Sequence, residues 1–281
     1  MANPNLTLLT NTADLINRSA TSISASSATA VANYPTTNSQ HPHLEQSFRT
    51  NTLTVACGLI YDLGAAASFD TLMILGHNLA GESGTVYFYC HTSNLGLLRL
   101  SWHGTAVRLG DDGSDVTPTV IGDHLYGYFA STQSKRYLAV FFEFGSHSDA
   151  YIEVGRVMVG LKTTFTDQFN DPMLYSHENT SFVSQSHGNQ IFEVERDVLT
   201  SLALPYEGDT NPITRADWIK WRDVFKNEKR KPFSWHLRAD TTNDLDVDLF
   251  YMNLDMSILN QSFNPEYVFM VNQTIQAREH K

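Results

Sequence analysis

Charge and sulfur are both scarce in this sequence. Charged residues make up 17% of the 281 residues, and only two residues, Cys57 and Cys90, are cysteines. Two cysteines cannot build the dense disulfide framework of a small secreted domain. Each cysteine lies in an apolar, strand-like run, which favours two buried thiols that pack as small hydrophobes. A disulfide between them stays open, because the spacing of two cysteines in a sequence does not determine whether they pair.

Basic residues are also few. The chain has 19 Lys and Arg against 30 Asp and Glu, which gives a net charge of −11. Binding to nucleic acid depends on clustered positive charge, so we expect no nucleic-acid partner. No apolar run reaches the roughly 20 residues that span a bilayer, and the N-terminus lacks the basic and apolar regions of a secretory signal. We therefore expect that the protein does not insert into a membrane and that it folds in a cytoplasm.

Motifs of catalysis are missing as well. The sequence contains no G-x-S-x-G, no P-loop and no G-x-G-x-x-G dinucleotide fingerprint. The acidic run at 110–115 lacks the residue order of a calcium loop and is typical of a solvated hairpin tip. His41 and His43 form the one close histidine pair, a fragment of a metal site without matched further ligands. We predict no enzymatic activity, no cofactor and no metal.

Apolar and aromatic residues are plentiful, at 42% and 11% of the chain. From about residue 51 to 165, runs dense in β-branched and aromatic residues alternate with Gly, Asp, Asn and Ser clusters. This pattern predicts a mostly β chain with an antiparallel β-sandwich or jelly roll. Two of its core strands are expected at Leu59–Tyr61 and Leu72–Leu75, on either side of a Gly/Ala turn. At least one of Ile74 and Leu75 should be fully buried.

A smaller α+β domain with one main helix is predicted at 169–281. The helix is expected near 214–230, with a capping box of Thr214 and Asp217 at its start and Pro232 beyond its end. The predicted apolar stripe of this helix comprises Trp218, Trp221, Val224 and Phe225.

Residues 1–30 are rich in Ser, Thr, Ala and Asn. Such residues bury little apolar area, so an extended N-terminal arm is predicted that a neighbouring subunit orders. Deleting the arm should then weaken assembly and spare the β-sandwich. The complete prediction is an arm at 1–30, a sandwich at 31–168 and the α+β domain at 169–281.

Three short segments suggest a family. Asp62-Leu63-Gly64 ends one predicted strand, Gly76-His77-Asn78-Leu79 ends the next, and residues 152–160 read IEVGRVMVG. Together they resemble the discoidin-like, galactose-binding-type β-sandwiches of bacteriophage virion proteins, over nearly half of the chain. The resemblance implies a structural, tail- or capsid-associated component of the phage particle. Its partners would be other virion proteins and copies of itself, and its location the virion.

His77 and Asn78 have two interpretations. They could present hydrogen-bonding groups to a glycan at the rim of the sandwich, or they could hold the turn, and we prefer the turn. The alternative function is accordingly a carbohydrate-binding module that contacts a host surface glycan. Exposed aromatic side chains would favour this alternative, because sugar faces stack on them, and the candidates are Trp102, Tyr126 and Tyr128.

A basic cluster lies at the end of the predicted helix. It consists of Lys226, Lys229, Arg230 and Lys231. Positive charge at a helix C-terminus is favoured by the helix dipole. The same residues could form a docking patch for an acidic neighbour, including another copy of this acidic chain. The two interpretations stay open.

Overall fold

A computed structural model describes the greater part of the chain. The described residues are 5–16, 22–25, 33–51, 57–82, 84–108, 119–121, 124–144, 146–166, 174–179, 182–185, 191–194, 198–206, 214–228, 231–238, 246–254, 262–264, 267–270 and 273–279. The chain divides into two compact units. The first unit is Leu8–Thr163, and the second combines Met1–Thr7 with Thr164–Lys281.

Strands dominate both units, as predicted. The strands up to residue 164 are β1 (Asn5–Leu9), β2 (Ser22–Ala25), β3 (Phe48–Arg49), β4 (Cys57–His77), β5 (Gly84–His91), β6 (Val107–Arg108), β7 (Thr119–Ile121), β8 (His124–Phe144), β9 (Glu153–Gly160) and β10 (Thr163–Thr164). Those that follow are β11 (Leu174–Asn179), β12 (Phe182–Gln185), β13 (Ile191–Val194), β14 (Val198–Tyr206), β15 (Phe233–Arg238), β16 (Asp246–Leu254), β17 (Ser262–Asn264), β18 (Tyr267–Met270) and β19 (Gln273–Glu279). The helices are a 3₁₀ turn (Thr36–Gln40), α1 (Arg99–Trp102) and α2 (Arg215–Glu228). No helix in the described part of the chain is long and apolar enough to cross a membrane.

The first unit is organised around two long antiparallel strands. β4 and β8 each contain 21 residues and pair along most of their lengths. β2 flanks the first half of β4, and β5 flanks the second half of β8, with β6 beyond it. The other halves of the long strands are flanked by β9 and β7, with β3 beyond β9. Each long strand therefore contributes to two sets of neighbours.

Side chains from both sets meet in one core. Leu59 and Leu138 come from the first halves of the pairing, and Ile74 and Val157 come from the second. All of them are buried in the same apolar cluster. Because one cluster joins them, the two halves pack face to face, as sheets do in a β-sandwich. The predicted antiparallel sandwich is confirmed.

The predicted turn between two core strands is wrong. The structure has a single strand, β4, which runs through the Gly/Ala region and shifts register between Asp62 and Ala67. Gly64 lies in this interval with a φ of +78°, a backbone conformation that glycine adopts without steric cost. A register shift of this kind bends a strand without ending it. Ile74 and Leu75 are both fully buried, which confirms the predicted burial.

The N-terminal residues that the structure describes do not form a separate arm. β1 lies between β10 and β15 in a seven-stranded sheet, and Leu6, Leu8 and Leu9 are buried. β2 pairs with β4 through its backbone. The expectation of an arm ordered by a neighbour is therefore wrong for these residues, because the three leucines bury apolar area within their own chain.

The second unit contributes most strands of a seven-stranded sheet and one main helix. The strand order is β10-β1-β15-β16-β19-β14-β11, and α2 covers most of the predicted helix. Thr214 caps α2, since its Oγ1 accepts a hydrogen bond from the backbone of Asp217 at 3.3 Å. The buried residues of α2 are Asp217, Trp221, Val224 and Glu228. Trp218 and Phe225 are only half-buried, so the predicted stripe is correct at two of its four positions.

Both cysteines are buried thiols, with no disulfide between them. Burial raises the pKa of each thiol to about 12, so both stay protonated at neutral pH. The interpretation of Cys57 and Cys90 as small hydrophobic residues is confirmed.

Candidate functional site

Asn78 fastens one rim of the sandwich, directly after β4. Its Nδ2 donates to Asp149 Oδ2 at 2.9 Å and to the Tyr151 carbonyl at 3.1 Å. Its Oδ1 accepts a hydrogen bond from the backbone N–H of Glu153 at 2.8 Å. These three bonds use both amide hydrogens and the amide oxygen. The side chain of Asn78 therefore joins the end of β4 to the start of β9.

His77 and His147 complete the same rim. His77 is buried, and its Nδ1 accepts a hydrogen bond from the backbone of Leu79 at 3.2 Å. His147 Nε2 donates to the Asn78 carbonyl at 2.7 Å, because a carbonyl can only accept. The predicted site residues His77 and Asn78 are thus arranged as the turn interpretation requires.

Replacing Asn78 with alanine should lower the free energy of unfolding by about 1–3 kcal/mol. The reason is that the backbone N–H of Glu153 and the carbonyl of Tyr151 lose their amide partner in a partly buried region. Urea denaturation of both proteins measures the difference. Asn94→Ala is the matched control, because Asn94 is exposed and its Oδ1 accepts only the local backbone bond from Gly96. Equal losses for the two variants would contradict the role of Asn78.

Beside Asn78, an arginine lies between two tyrosine rings. The Arg49 guanidinium carbon is 4.1 Å from the ring centroid of Tyr34 and 5.0 Å from that of Tyr151. Its Nη2 donates a hydrogen bond to Glu153 Oε1 at 3.0 Å, and its Nε lies 2.9 Å from Glu153 Oε2 in the same ion pair, without a hydrogen bond of its own. We call these four residues, Tyr34, Arg49, Tyr151 and Glu153, the rim cluster.

Strand pairing positions the charged pair of the rim cluster. Arg49 ends β3 and Glu153 begins β9, and the two residues are direct partners in the antiparallel register. Opposite charges at such positions stabilise a pair of strands. Ser47 also donates its hydroxyl hydrogen to Glu153. The sequence gives no direct sign of this cluster, because Arg49 and Glu153 are 104 residues apart.

Arg49 stays charged, and the rim cluster is partly open to solvent. Burial disfavours the guanidinium, but its hydrogen bond and charge interaction with Glu153 raise the pKa of Arg49 above its usual value. The side chains of Arg49 and Glu153 are 30% and 22% exposed. Tyr34 and Tyr151 are half-buried. The cluster therefore offers aromatic carbon, hydrogen-bond donors and a carboxylate acceptor to a ligand.

The aromatic residues that are candidates for stacking on sugars are mostly inaccessible. Trp102 is fully buried, and its Nε1 donates to the Gly96 carbonyl at 2.8 Å. Tyr126 is also buried, and only Tyr128 is half-exposed. Tyr128 and Tyr126 have ring centroids 5.0 Å apart, and Lys162 Nζ lies 4.9 Å from the Tyr128 ring. Trp102 and Tyr126 are therefore ruled out as stacking candidates, because both side chains pack into the protein.

Two further predicted features lie partly or wholly outside the described residues. Lys226 and Lys231 are exposed, whereas Lys229 and Arg230 lie outside the described residues. The docking patch therefore stays a prediction. The acidic run at 110–115 also lies outside the described residues.

His41 and His43 do lie together, with ring centroids 5.2 Å apart. The backbone N–H of His43 donates to His41 Nδ1 at 3.2 Å, and burial lowers the pKa of His41. Across the described ranges, no group of three or more His, Cys, Asp and Glu side chains is arranged to hold a metal ion.

No protein-family model and no curated protein matches the sequence. Several solved structures are similar to about half of the chain. A GH29 fucosidase of Ruminococcus gnavus in complex with fucose is 16% identical over 55% of this chain and 28% of that chain, with a TM-score of 0.42. The chain thus spans much less than two thirds of that enzyme.

Two smaller structures are matched along nearly all of their length. CBM32-1 from a family 31 glycoside hydrolase of Clostridium perfringens is 12% identical over 50% of this chain and 94% of that chain, with a TM-score of 0.38. Chitosan-binding module 1 from a chitosanase/glucanase of Paenibacillus sp. IK-5 is 12% identical over 52% and 97%, with a TM-score of 0.39. These TM-scores lie below 0.5. The strands and the apolar core of this chain establish the sandwich by themselves. None of these three structures is described as a virion protein.

Proposed function

We propose that the protein binds a carbohydrate at the rim cluster, without turning it over. The single observation that carries the proposal is the placement of Arg49 between Tyr34 and Tyr151, with Glu153 fixing the guanidinium. Carbohydrates expose both C–H faces and hydroxyl groups. Sites that bind them combine apolar, aromatic surface with a few polar groups held in fixed positions. The rim cluster has both components.

The polar groups of the cluster are already oriented before a ligand arrives. Glu153 accepts bonds from Arg49 and Ser47, and its backbone N–H is bound by Asn78. A group held in place by its neighbours loses little conformational entropy on binding. The partly exposed guanidinium can donate to a sugar hydroxyl, and the carboxylate can accept from one.

A similar arrangement elsewhere in the first unit provides a control. Arg99 lies 4.4 Å from the ring centroid of Tyr87, and its Nε binds Glu143 at 3.1 Å. Tyr87 belongs to β5, whereas the rim cluster lies at β3 and β9. The two clusters share their chemistry and differ in position. A variant at Tyr87 therefore tests whether binding needs the rim cluster itself.

The test is a glycan array followed by calorimetric titration of the best glycan. Tyr34→Ala and Tyr151→Ala should each weaken binding at least about tenfold, equivalent to roughly 1.4 kcal/mol. Arg49→Lys keeps the charge but loses the planar guanidinium that lies over the two tyrosine rings, and it should also weaken binding. Tyr87→Ala should bind as the unchanged protein does. A melting curve of each variant shows whether it is folded.

Two results would contradict the proposal. One is an unchanged protein that binds no glycan on the array. The other is equal loss of binding in Tyr87→Ala and Tyr34→Ala. Release of shortened or modified sugar during the titration would contradict the absence of turnover. A structural role in a phage particle and a location in the virion stay predictions from the resemblance.

A further inference from the structure

Three histidines with buried rings bind the backbone of one short turn. The turn comprises residues 76–79, at the end of β4, and we call it the rim turn. His124 of β8 accepts a hydrogen bond at Nδ1 from the backbone N–H of Gly76, at 3.2 Å. His77 accepts one at Nδ1 from the backbone N–H of Leu79, also at 3.2 Å. Each ring therefore holds the turn through a nitrogen that carries no proton.

The third histidine, His147, uses both of its ring nitrogens. Its Nε2 donates to the Asn78 carbonyl of the rim turn at 2.7 Å, and its Nδ1 accepts a hydrogen bond from the backbone N–H of Asp149 at 3.1 Å. The side chain of His147 is fully buried. One nitrogen is a donor and the other an acceptor, an arrangement that only the neutral imidazole provides.

Protonation removes the acceptor nitrogen from each of these rings. An imidazolium has two N–H donors and no acceptor, so the backbone N–H groups of Gly76, Leu79 and Asp149 would each face another N–H. Histidine is the side chain whose charge ordinarily changes between about pH 5 and 8, and a solvated histidine titrates near about pH 6.5. The three bonds require neutral rings. They therefore stabilise the rim turn above about pH 6.5, and this contribution is lost as the pH falls below that value.

Two carboxylates lie near His147, and one of them offers the protonated ring a new partner. Glu82 Oε1 is 4.0 Å from His147 Nδ1. Hydrogen bonds from Ser148 lower the pKa of Glu82, so this carboxylate is ionised throughout the range in which histidine titrates. The second carboxylate is that of Asp149, which accepts a hydrogen bond from Asn78. A protonated His147 thus exchanges the bond from the Asp149 backbone for an ion pair with Glu82.

An ion pair of β9 lies beside His77. The register partner of His77 is Val154, and the preceding residue, Glu153, binds Arg49. The opposite charges of this pair offset each other at the ring. The loss of the acceptor bond therefore decides what protonation of His77 does to the rim turn.

A second ion pair of β9 lies on the same sheet face as His124. His124 and Arg156 occupy one row of the β8–β4–β9 pairing, and Arg156 binds Asp14. The segment before β3, which packs against the rim turn, contributes the exposed side chains of His43 and Glu45. Charges that are paired or exposed to solvent act weakly on a buried ring. The acceptor bond is again the deciding interaction.

We propose that the rim turn is an acid-sensitive switch, closed at about pH 7.5 and open at about pH 5.5. In the closed state the three neutral histidines hold the turn. In the open state the rings are charged and the released backbone groups bind water. Asn78 ties the rim turn to the backbone N–H of Glu153, so opening also loosens the rim cluster. The switch belongs to the fold itself and operates whether or not the rim cluster binds a carbohydrate.

Amide hydrogen exchange at about pH 7.5 and about pH 5.5 tests the switch. Rates are expressed as protection factors, which removes the ordinary pH dependence of exchange from the comparison. In acid, the protection of the backbone N–H groups of Gly76, Leu79 and Asp149 should be at least about tenfold lower. Amides in the pairing of β5 with β8 should keep their protection, because they donate to backbone carbonyls, which do not titrate.

Asparagine variants separate protonation from the loss of a side chain. Asparagine Oδ1 has about the place of histidine Nδ1, accepts the same bond and does not titrate. His77→Asn combined with His124→Asn should therefore keep the two backbone bonds and their protection in acid. His91→Asn is the matched control, because His91 Nδ1 accepts its bond from the backbone of Ser93, outside the rim turn, at 3.0 Å. The control should open in acid as the unchanged protein does, and circular dichroism checks that each variant is folded.

Three results would overturn the proposal. The first is equal protection of the three amides at the two pH values. The second is a double asparagine variant that loses protection at Gly76 and Leu79 as the unchanged protein does, since another group would then control the turn. The third is an equal loss of protection in the pairing of β5 with β8, because acid would then unfold the whole unit. None of these measurements depends on whether the rim cluster binds a glycan.

Discussion

Replacing Asp14 with alanine should lower the free energy of unfolding by about 3–5 kcal/mol. Asp14 Oδ2 lies 2.9 Å from Arg156 Nη2, and both side chains are 0% exposed. The other carboxylate oxygen accepts hydrogen bonds from the backbone of Ile16 and Val159, at 3.0 and 3.1 Å. The variant leaves the guanidinium of Arg156 buried without its carboxylate partner. Urea denaturation measures the loss.

Burial raises the pKa of Asp14, while the guanidinium and the two backbone donors oppose this shift. Because burial opposes ionisation, the charged form of Asp14 depends on its contacts with Arg156 and with the two backbone donors. Asp62→Ala is the matched control, because Asp62 forms a partly exposed pair with Arg136. Exposed pairs are worth about 0.2–1 kcal/mol. A loss for Asp14→Ala that is no greater than that for Asp62→Ala would contradict the importance of the buried pair.

The second large effect is expected in the sandwich core. Ile74→Ala should destabilise the protein by about 2–5 kcal/mol, because a fully buried side chain in the shared apolar cluster is truncated and leaves a cavity. Leu75→Ala removes a fully buried side chain from the next position of β4 and should cost a similar amount. Urea denaturation at low micromolar concentration measures both losses.

Leu100→Ala serves as the control for these two variants, since Leu100 is mostly exposed. A surface substitution of this kind usually changes the stability by no more than about 0.5 kcal/mol. If Ile74→Ala and Leu75→Ala were as stable as Leu100→Ala, the placement of β4 in the core would be wrong.

The apolar runs were sufficient to predict a sandwich, but not the continuity of its longest strand. Gly64 and the alanines after it have the composition of a turn, and the same residues also suit a bend inside a strand. The difference lies in the pairing of both halves of β4 with β8, which is a contact between distant residues. A local pattern carries no information about such pairing.

The N-terminal region shows a related difficulty. Its overall Ser and Ala content is typical of an arm, although Leu6, Leu8 and Leu9 form a short apolar stretch within it. Three leucines change the average composition of 30 residues very little. In the structure it is the part that becomes buried in a sheet.

The candidate site was predictable only where it is local. The turn role of Asn78 follows from its position after β4 and from the chemistry of an asparagine side chain. The rim cluster depends on the register of β3 and β9, which brings Arg49 beside Glu153. Tyr34 precedes β3 and Arg49 ends it, but the cluster that they form depends on residues more than 100 positions later.

The long strands β4 and β8 have a consequence for how the sandwich opens. Both layers share these strands, so the pairing from Cys57–Phe142 to Leu75–His124 passes from one layer into the other. In a sandwich of separate strands, one layer can fray while the other persists. Here, separating β4 from β8 removes the centre of both layers at once. The first unit should therefore behave as one cooperative folding unit, in which local opening is confined to its edge strands and loops.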